Sequence, residues 1–379
     1  MRWLITCFDS RPALRGGIAT FGHELSNALA QIPGEEVLVL APTCQEAVEF
    51  DKQQNYKTKR VDLPRKSIRA IWPLRRHLKQ QIKEFKPDII VNFLWLPEGV
   101  STIGLGVPRI VIAHGVEVLE SSATFRKKMR QTLVPFKKWV FKKAFLTIAV
   151  SRYTADLLQK YCGLEKEKIL IIHPGVTAAP ERPLRIKEAP LNFLTVTRLL
   201  PYKGVDVVLK SLALLKKTHT NWHYNVVGGG IDLERLQIMI MDLGLEKFVT
   251  LLGQVDDKTL EKCYQQTDLF ILCSRADLVT PNVEGFGIVF LEAAMLGIPS
   301  LAGNSGGISD AVLDGETGWT VDPEDSNVIA RNLSDIINTP QELALRGKKA
   351  RARALLEFQW GQIAVKLKDV VQSKKNHLK

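Results

Sequence analysis

The sequence has few cysteines and pairs none of them. Cys7, Cys44, Cys162, Cys263 and Cys273 are odd in number, scattered and never in a C-x-x-C pair, which argues against a disulfide framework and a zinc site and predicts buried thiols. Long hydrophobic runs are also missing. No stretch reaches the roughly 18 uninterrupted apolar residues of a spanning helix, and the apolar start "MRWLITCF" stops at Asp9, too soon for a signal segment. A cytoplasmic, non-spanning protein is expected. Solenoid repeats are absent, as are RNP, helix-turn-helix and zinc-finger patterns, so nucleic acid is not an expected partner.

What is present is enough apolar sequence for two cores. The 379 residues are 45% apolar and 24% charged, the balance of a soluble globular chain of about two domains. The net charge of +12 is unevenly placed: residues 1–180 hold 28 Lys and Arg against 16 Asp and Glu, whereas residues 181–379 hold 24 of each. The first half therefore suits an anionic partner.

Short β-rich runs alternate with helical patterns. "WLITCF", "VLVLA", "IIVNFL", "IVIA", "LTIAV" and "ILII" in the first half are matched by "NFLTVT", "YNVVG", "VTLLG", "LFILC" and "PSLA" in the second. Continuous apolar strands separated by helices predict parallel sheets covered on both faces, hence two Rossmann-like α/β units. Four prolines in "HPGVTAAPERPLRIKEAP", residues 173–190, mark the boundary. The expected division is a domain over 1–178, a second over 190–358 and a final helix over 359–379.

Four segments could carry chemistry. Gly16 and Gly17 precede a helical face of Ile18, Phe21, Leu25 and Leu29, where amides and the helix dipole favour an anion, or where the chain simply turns. Arg198 and Lys203 flank a Pro-Tyr turn between a strand and a helix striped with Val205, Val208, Leu209 and Leu212; they suit a diphosphate or form a solvated basic pair. "VVGGGIDLERL", residues 226–236, does not complete G-x-G-x-x-G and reads as a strand-to-helix turn with open backbone, which disfavours a nicotinamide site. In "PNVEGFGIVFLEAAMLGIPSLAGNSGG", residues 281–307, Glu284 precedes a Gly285-Phe286-Gly287 turn and Glu292 lies inside a helix of buried composition that Gly297 caps. The amides of the turn would be free for phosphate. Glu292 needs partners, which ligand hydroxyls or a basic neighbour would supply.

At these residues the chain resembles the retaining glycosyltransferases of family 4, group 1, with the GT-B fold: two Rossmann-like domains facing each other across a cleft, the C-terminal helix crossing back to the first. The E-x7-E pair is joined by the Gly16-Gly17 loop, by "AHGVE" at 113–117, by Arg198 and Lys203, and by "NSGGISDAV…DGETGWTVDPED". The resemblance implies that Glu292 holds the nucleotide ribose and Glu284 the donor sugar. It gives Arg198 and Lys203 the diphosphate, and His114 a place near the reaction centre. Amides around Gly16, Gly17, Gly285, Phe286, Gly287, Ile288 and Val289 would cradle phosphate and donor.

It also implies a nucleotide-diphospho-sugar as substrate, no cofactor and no metal; no D-x-D stands in the expected role. Pro174-Gly175-Val176-Thr177 replaces the Asn-Gly-Val-Asp that many relatives carry at the domain junction. The loop before Glu284 is similar to that of phosphatidylinositol-mannoside mannosyltransferases, which implies GDP-mannose, with a UDP-sugar the other choice. "LPRKSIRAIWPLRRHLKQQIKEFK" at 63–86 and "FRKKMRQTLVPFKKWVFKKAF" at 125–145 interleave cations with aromatics. They are expected to meet an anionic membrane at the inner face of the cytoplasmic membrane, beside a glycan or lipid-linked acceptor; helices packed on the sheet by their apolar side are the alternative. Two rival functions remain: a nucleotide-sugar epimerase, and a non-catalytic basic membrane or nucleic-acid binder.

Overall fold

The computed structural model describes residues 1–14, 16–64, 68–119, 134–180, 190–277 and 282–376. The chain forms two compact units, one of Met1–Gly175 with Trp360–Lys379 and one of Val176–Gln359. It crosses into the second at Val176, within the proline-rich stretch, and returns at Trp360. Residues 181–189 of that stretch lie outside the described residues.

In the first unit seven strands, β1 (Arg2–Thr6), β2 (Glu36–Pro42), β3 (Lys57–Val61), β4 (Ile89–Asn92), β5 (Arg109–Ala113), β6 (Leu146–Ala149) and β7 (Ile169–Ile171), pair in parallel in the order β3-β2-β1-β4-β5-β6-β7. The helices between them are α1 (Gly17–Ala30), α2 (Ala47–Lys52), α3 (Ile71–Phe85), α4 (Val134–Lys142) and α5 (Arg152–Leu157). Central strands β1, β4, β5 and β6 are almost wholly buried, as continuous apolar runs require. Leu74 and Leu78 of α3 pack with Leu4, Leu38 and Ile90, while Val140 and Phe141 of α4 pack with Val111. Each such side chain contributes about 1.5–3 kcal/mol of hydrophobic stabilisation.

The second unit has six parallel strands, β8 (Leu191–Val196), β9 (Trp222–Val227), β10 (Val249–Gly253), β11 (Leu269–Leu272), β12 (Ser300–Gly303) and β13 (Gly318–Val321), ordered β10-β9-β8-β11-β12-β13. Its helices are α6 (Val205–Leu215), α7 (Leu233–Asp242), α8 (Asp257–Gln265), α9 (Ile288–Met295), α10 (Ile308–Ala311), α11 (Ser326–Asn338) and α12 (Pro340–Glu357). The stripe read from the sequence, Val205, Val208, Leu209 and Leu212, is buried in its core. Helix α13 (Trp360–Asn376) belongs to the first unit: Trp360 lies 5.5 Å from Phe21 of α1, ring centre to ring centre, and Lys375 Nζ is 3.0 Å from Asp88 Oδ1.

β3, "KTKRV", and β13, "GWTV", stand at sheet edges and go unread in the sequence because an edge strand need not be apolar throughout, although the edge strands β7 and β10 are apolar enough to be read. None of the five cysteines is in a disulfide; Cys7, Cys162 and Cys273 are buried, but Cys44 and Cys263 are only half-buried, so the expectation of buried thiols holds for three.

Candidate active site

In a doubly wound sheet the crevice lies where the helices that follow neighbouring strands leave toward opposite sides. In the second unit that point falls between β8, which leads to β9, and β11, which leads to β12. After β8 the chain makes a tight turn at Pro201–Lys203 and enters α6 through Gly204 at φ 73°. A Cβ on Gly204 would sit 1.9 Å from the Cys273 carbonyl oxygen; only glycine lets the turn press on the end of β11. The Arg275 N–H donates to the Tyr202 carbonyl at 2.8 Å and stitches the two exits together.

This turn delivers Lys203 to Glu284. Lys203 Nζ lies 2.5 Å from Glu284 Oε2, with 11% and 15% of the two side chains exposed. Lys203 is thus no solvated surface cation. Burial acts to lower its pKa, but the charge and hydrogen bond of Glu284 outweigh that and raise it above the ordinary lysine value. Glu284 is fixed from behind: its carbonyl accepts from Gly307 N–H at 2.9 Å, and a Cβ on Gly306, at φ 61°, would lie 2.3 Å from that oxygen. Arg198 is exposed, bonds to nothing among the described residues, and lies close enough for its charge to act on Lys203.

Helix α9 starts at Gly287, whose φ is 91° and where a Cβ would meet the Phe290 ring at 2.6 Å. The first-turn amides of Ile288 and Val289 have no acceptor within the helix. Phe286 is buried against Phe358 at 5.8 Å, so Gly285-Phe286-Gly287 can serve a ligand only through its backbone. Glu292 is half-buried in the second turn, and its Oε2 accepts from the Tyr264 hydroxyl at 2.8 Å. Burial and then the Glu292 charge hold the Tyr264 phenol well above its usual range. A tyrosine of α8 therefore supplies a bond for which the sequence suggested ligand hydroxyls or a basic neighbour; one aromatic in a polar helix gave no signal of it.

The glycine run, exposed at Gly230 and half-buried at Gly228 and Gly229, is close-packed on its inner side. A Cβ at Gly228 would lie 1.8 Å from the Thr197 carbonyl oxygen and one at Gly230 2.1 Å from that of Leu199, while Leu199 N–H donates to Gly229 at 2.9 Å. The run packs the exit of β9 onto the loop that carries Arg198. A charged network unseen in the sequence braces the same exits: Asp206 of α6 accepts from Arg275 at 3.1 Å, and Arg235 grips Asp232 at 2.6 and 2.7 Å and reaches Asp206 at 3.6 Å.

In the first unit, exposed Gly16 caps α1, and a Cβ there would meet nothing within 4 Å. Gly17, also exposed, begins the helix. His114 follows β5, half-buried; its Nε2 lies 2.8 Å from the Phe93 carbonyl oxygen, its ring stacks on Phe93 at 6.3 Å and meets Phe21 edge-on at 6.3 Å. Its backbone N–H donates to Glu117 Oε1 at 2.5 Å.

Comparison with known proteins gives the family and the fold. The Glycosyltransferase Family 4 model matches residues 15–179 and the Glycosyl transferases group 1 model residues 179–353. The chain is 28% identical over 392 residues to the GDP-mannose-dependent alpha-(1-6)-phosphatidylinositol monomannoside mannosyltransferase of Mycolicibacterium smegmatis, covering 96% of this chain and 97% of that one. It is 25% identical over 395 residues to a glycogen synthase of Mycobacterium tuberculosis, covering 96% and 92%. Among solved structures, the sucrose-phosphate synthase of Thermosynechococcus elongatus has the same fold, with a TM-score of 0.82 over 98% of both chains at 20% identity.

Proposed function

The chain belongs to the family 4, group 1 glycosyltransferases of GT-B fold, and from that premise we propose that it moves a hexose from a nucleoside-diphosphate sugar to an acceptor hydroxyl with retention at the anomeric carbon. The observation that carries this reading is the buried Lys203–Glu284 pair at the switch point, beside the start of α9. A buried lysine would otherwise shed its proton; Glu284 keeps it cationic. When a donor binds, its sugar hydroxyls bond Glu284 and its diphosphate takes Lys203, Arg198 and the amides of Gly287, Ile288 and Val289. The bond from anomeric carbon to phosphate oxygen breaks, its electron pair staying on that oxygen. The acceptor oxygen bonds to the same face and its proton passes to the departing diphosphate. Lys203, held by Glu284, together with Arg198 and the helix amides stabilises the growing charge, with no metal required. Glu292, set by Tyr264, holds the ribose, the Gly16-Gly17 amides face the donor, and His114 meets the donor sugar.

GDP-mannose is the proposed donor, supported by the mycobacterial relative, and a UDP-sugar is its competitor. The test is a thermal-shift screen with GDP, UDP and ADP and their sugars. A ligand at 100 times its Kd raises stability by about 2.7 kcal/mol; no response to any of them would sink the reading.

We propose further that the acceptor is lipid-linked and that the chain works as a peripheral protein at the inner face of the cytoplasmic membrane. Helix α3 supports this: Leu74, Leu78 and Gln81 are buried, while Trp72, Arg76, Lys79 and Lys83 form an exposed face, Trp72 being 77% exposed. On α4, Phe136 and Trp139 stack half-exposed at 5.6 Å, although Lys137 turns inward to the carbonyls of Glu117 and Val118. Residues 65–67 and 125–133 of the two basic segments lie outside the described residues. No helix among the described residues is long and apolar enough to cross a membrane. Sedimentation with anionic vesicles at low salt tests the attachment; protein left in the supernatant counts against it.

A further inference from the structure

Glu98 has no exposed surface and no part in the chemistry above. It lies in the turn Trp95–Gly99 at the switch point of the first unit, where β1 leads to β2 and β4 leads to β5. Its Oε1 accepts from the Phe8 N–H at 2.7 Å. Its Oε2 accepts from the N–H groups of Phe93 at 2.7 Å and Leu94 at 3.1 Å and from the Thr6 hydroxyl at 3.0 Å. At the switch point, where such sheets take ligands, these amides are bonded by the chain's own carboxyl group.

One of these bonds reaches His114. The peptide group between Phe93 and Leu94 donates its N–H to Glu98, and its carbonyl accepts from His114 Nε2 at 2.8 Å. In a trans peptide the two bonds point in opposite directions, so carboxylate, peptide and imidazole form one series. A carbonyl only accepts, which places a proton on Nε2. Where Glu98 is ionised, its negative charge at the N–H end polarises the peptide and strengthens what its oxygen offers the ring. The Phe93 ring stacks on His114, and Phe93 is itself held by Glu98 through its own N–H.

We propose that Glu98 is a positioning residue for His114, fixing the Nε2–H tautomer and raising the basicity of the imidazole through the Phe93–Leu94 peptide. The role this serves rests on His114 meeting the donor sugar. Thr6 and the Phe8 amide from β1 and its exit, and the Phe93 and Leu94 amides from the exit of β4, face Glu98, with Asn92 bonded to Thr6. Among the described residues, Glu117 accepts from the His114 amide, and Lys137 donates to the Glu117 carbonyl beside the ring's own segment.

The test is a pH titration of the histidine ring nitrogens by NMR in the full-length protein and in Glu98→Gln, with a thermal melt of each. We expect the Nε2–H tautomer in the wild type and, above about pH 7 where Glu98 is ionised, a His114 ring that holds its proton more tightly than in the variant by about half a unit or more. With donor and acceptor, kcat should fall about tenfold with little change in donor KM. An unchanged His114 tautomer and pKa in folded Glu98→Gln overturns the proposal. If that variant does not fold, Thr6→Val, which removes one donor from Oε2, must move the His114 pKa in the same direction by a smaller amount; no movement overturns it equally. The titration needs no donor, so a His114 shift beside full activity of His114→Ala would uphold the relay and sink the donor-sugar reading alone.

Discussion

Lys203 and Glu284 show how one contact can set both charge and place. Each is costly to bury alone, and each is the other's counter-charge at 2.5 Å. Lys203→Ala should therefore lower turnover about 10²-fold or more, the scale of losing a fixed charge-stabilising donor, while thermal melts report whether the orphaned Glu284 also destabilises the unit. Tyr264→Phe leaves Glu292 in place but removes its phenol, and a hydrogen bond to a charged group is worth about 1.5–3 kcal/mol. Nucleotide affinity measured by calorimetry should fall, with turnover at saturating donor little changed. Glu98 predicts a pH effect. Burial, opposed by four hydrogen bonds, pushes its pKa up to about 7 from 4.5. The folded state thus holds this proton more tightly than the unfolded chain, so its contribution is complete below about 4.5 and lost as pH rises through about 7. At 1.36 kcal/mol per unit the loss is about 3 kcal/mol. Urea denaturation at pH 5 and pH 8 should show that decline in the wild type and not in Glu98→Gln.

At the scale of elements, the glycines separate turns that the fold demands from a turn left open. Gly204 has a positive φ and a neighbouring carbonyl where its Cβ would go, so Gly204→Ala should cost at least about 2 kcal/mol in denaturant titration. Gly16 has φ −78° and empty space around it. Gly16→Ala should leave stability within about 0.5 kcal/mol while weakening donor binding; unchanged binding would remove that loop from the site. The sequence pattern found the central strands and the switch from strand to helix at each motif. It overlooked β3 and β13 because an edge strand is covered less and need not be apolar throughout.

Across the whole molecule, the last helix completes the unit that the first residues begin. Trp360, Ile363, Ala364, Leu367 and Val371 form its buried side, so Trp360→Ala should cost about 3 kcal/mol or more by loss of a large buried ring, read as a lower melting temperature. By itself the sequence determined two parallel α/β sheets, the glycines at the helix mouths and the five motifs that mark a family, because apolar periodicity and turn chemistry are local properties of the chain. The three-dimensional packing was needed to show that Lys203 is buried on Glu284, that Tyr264 serves Glu292, and that Glu98 bonds the peptide that holds His114. Lys203 and Glu284 lie on two strand exits, Tyr264 and Glu292 on two helices, and Glu98 folds back onto its own exit beside Thr6 and Phe8 of another; such bonds depend on where segments converge in space, which apolar periodicity does not encode.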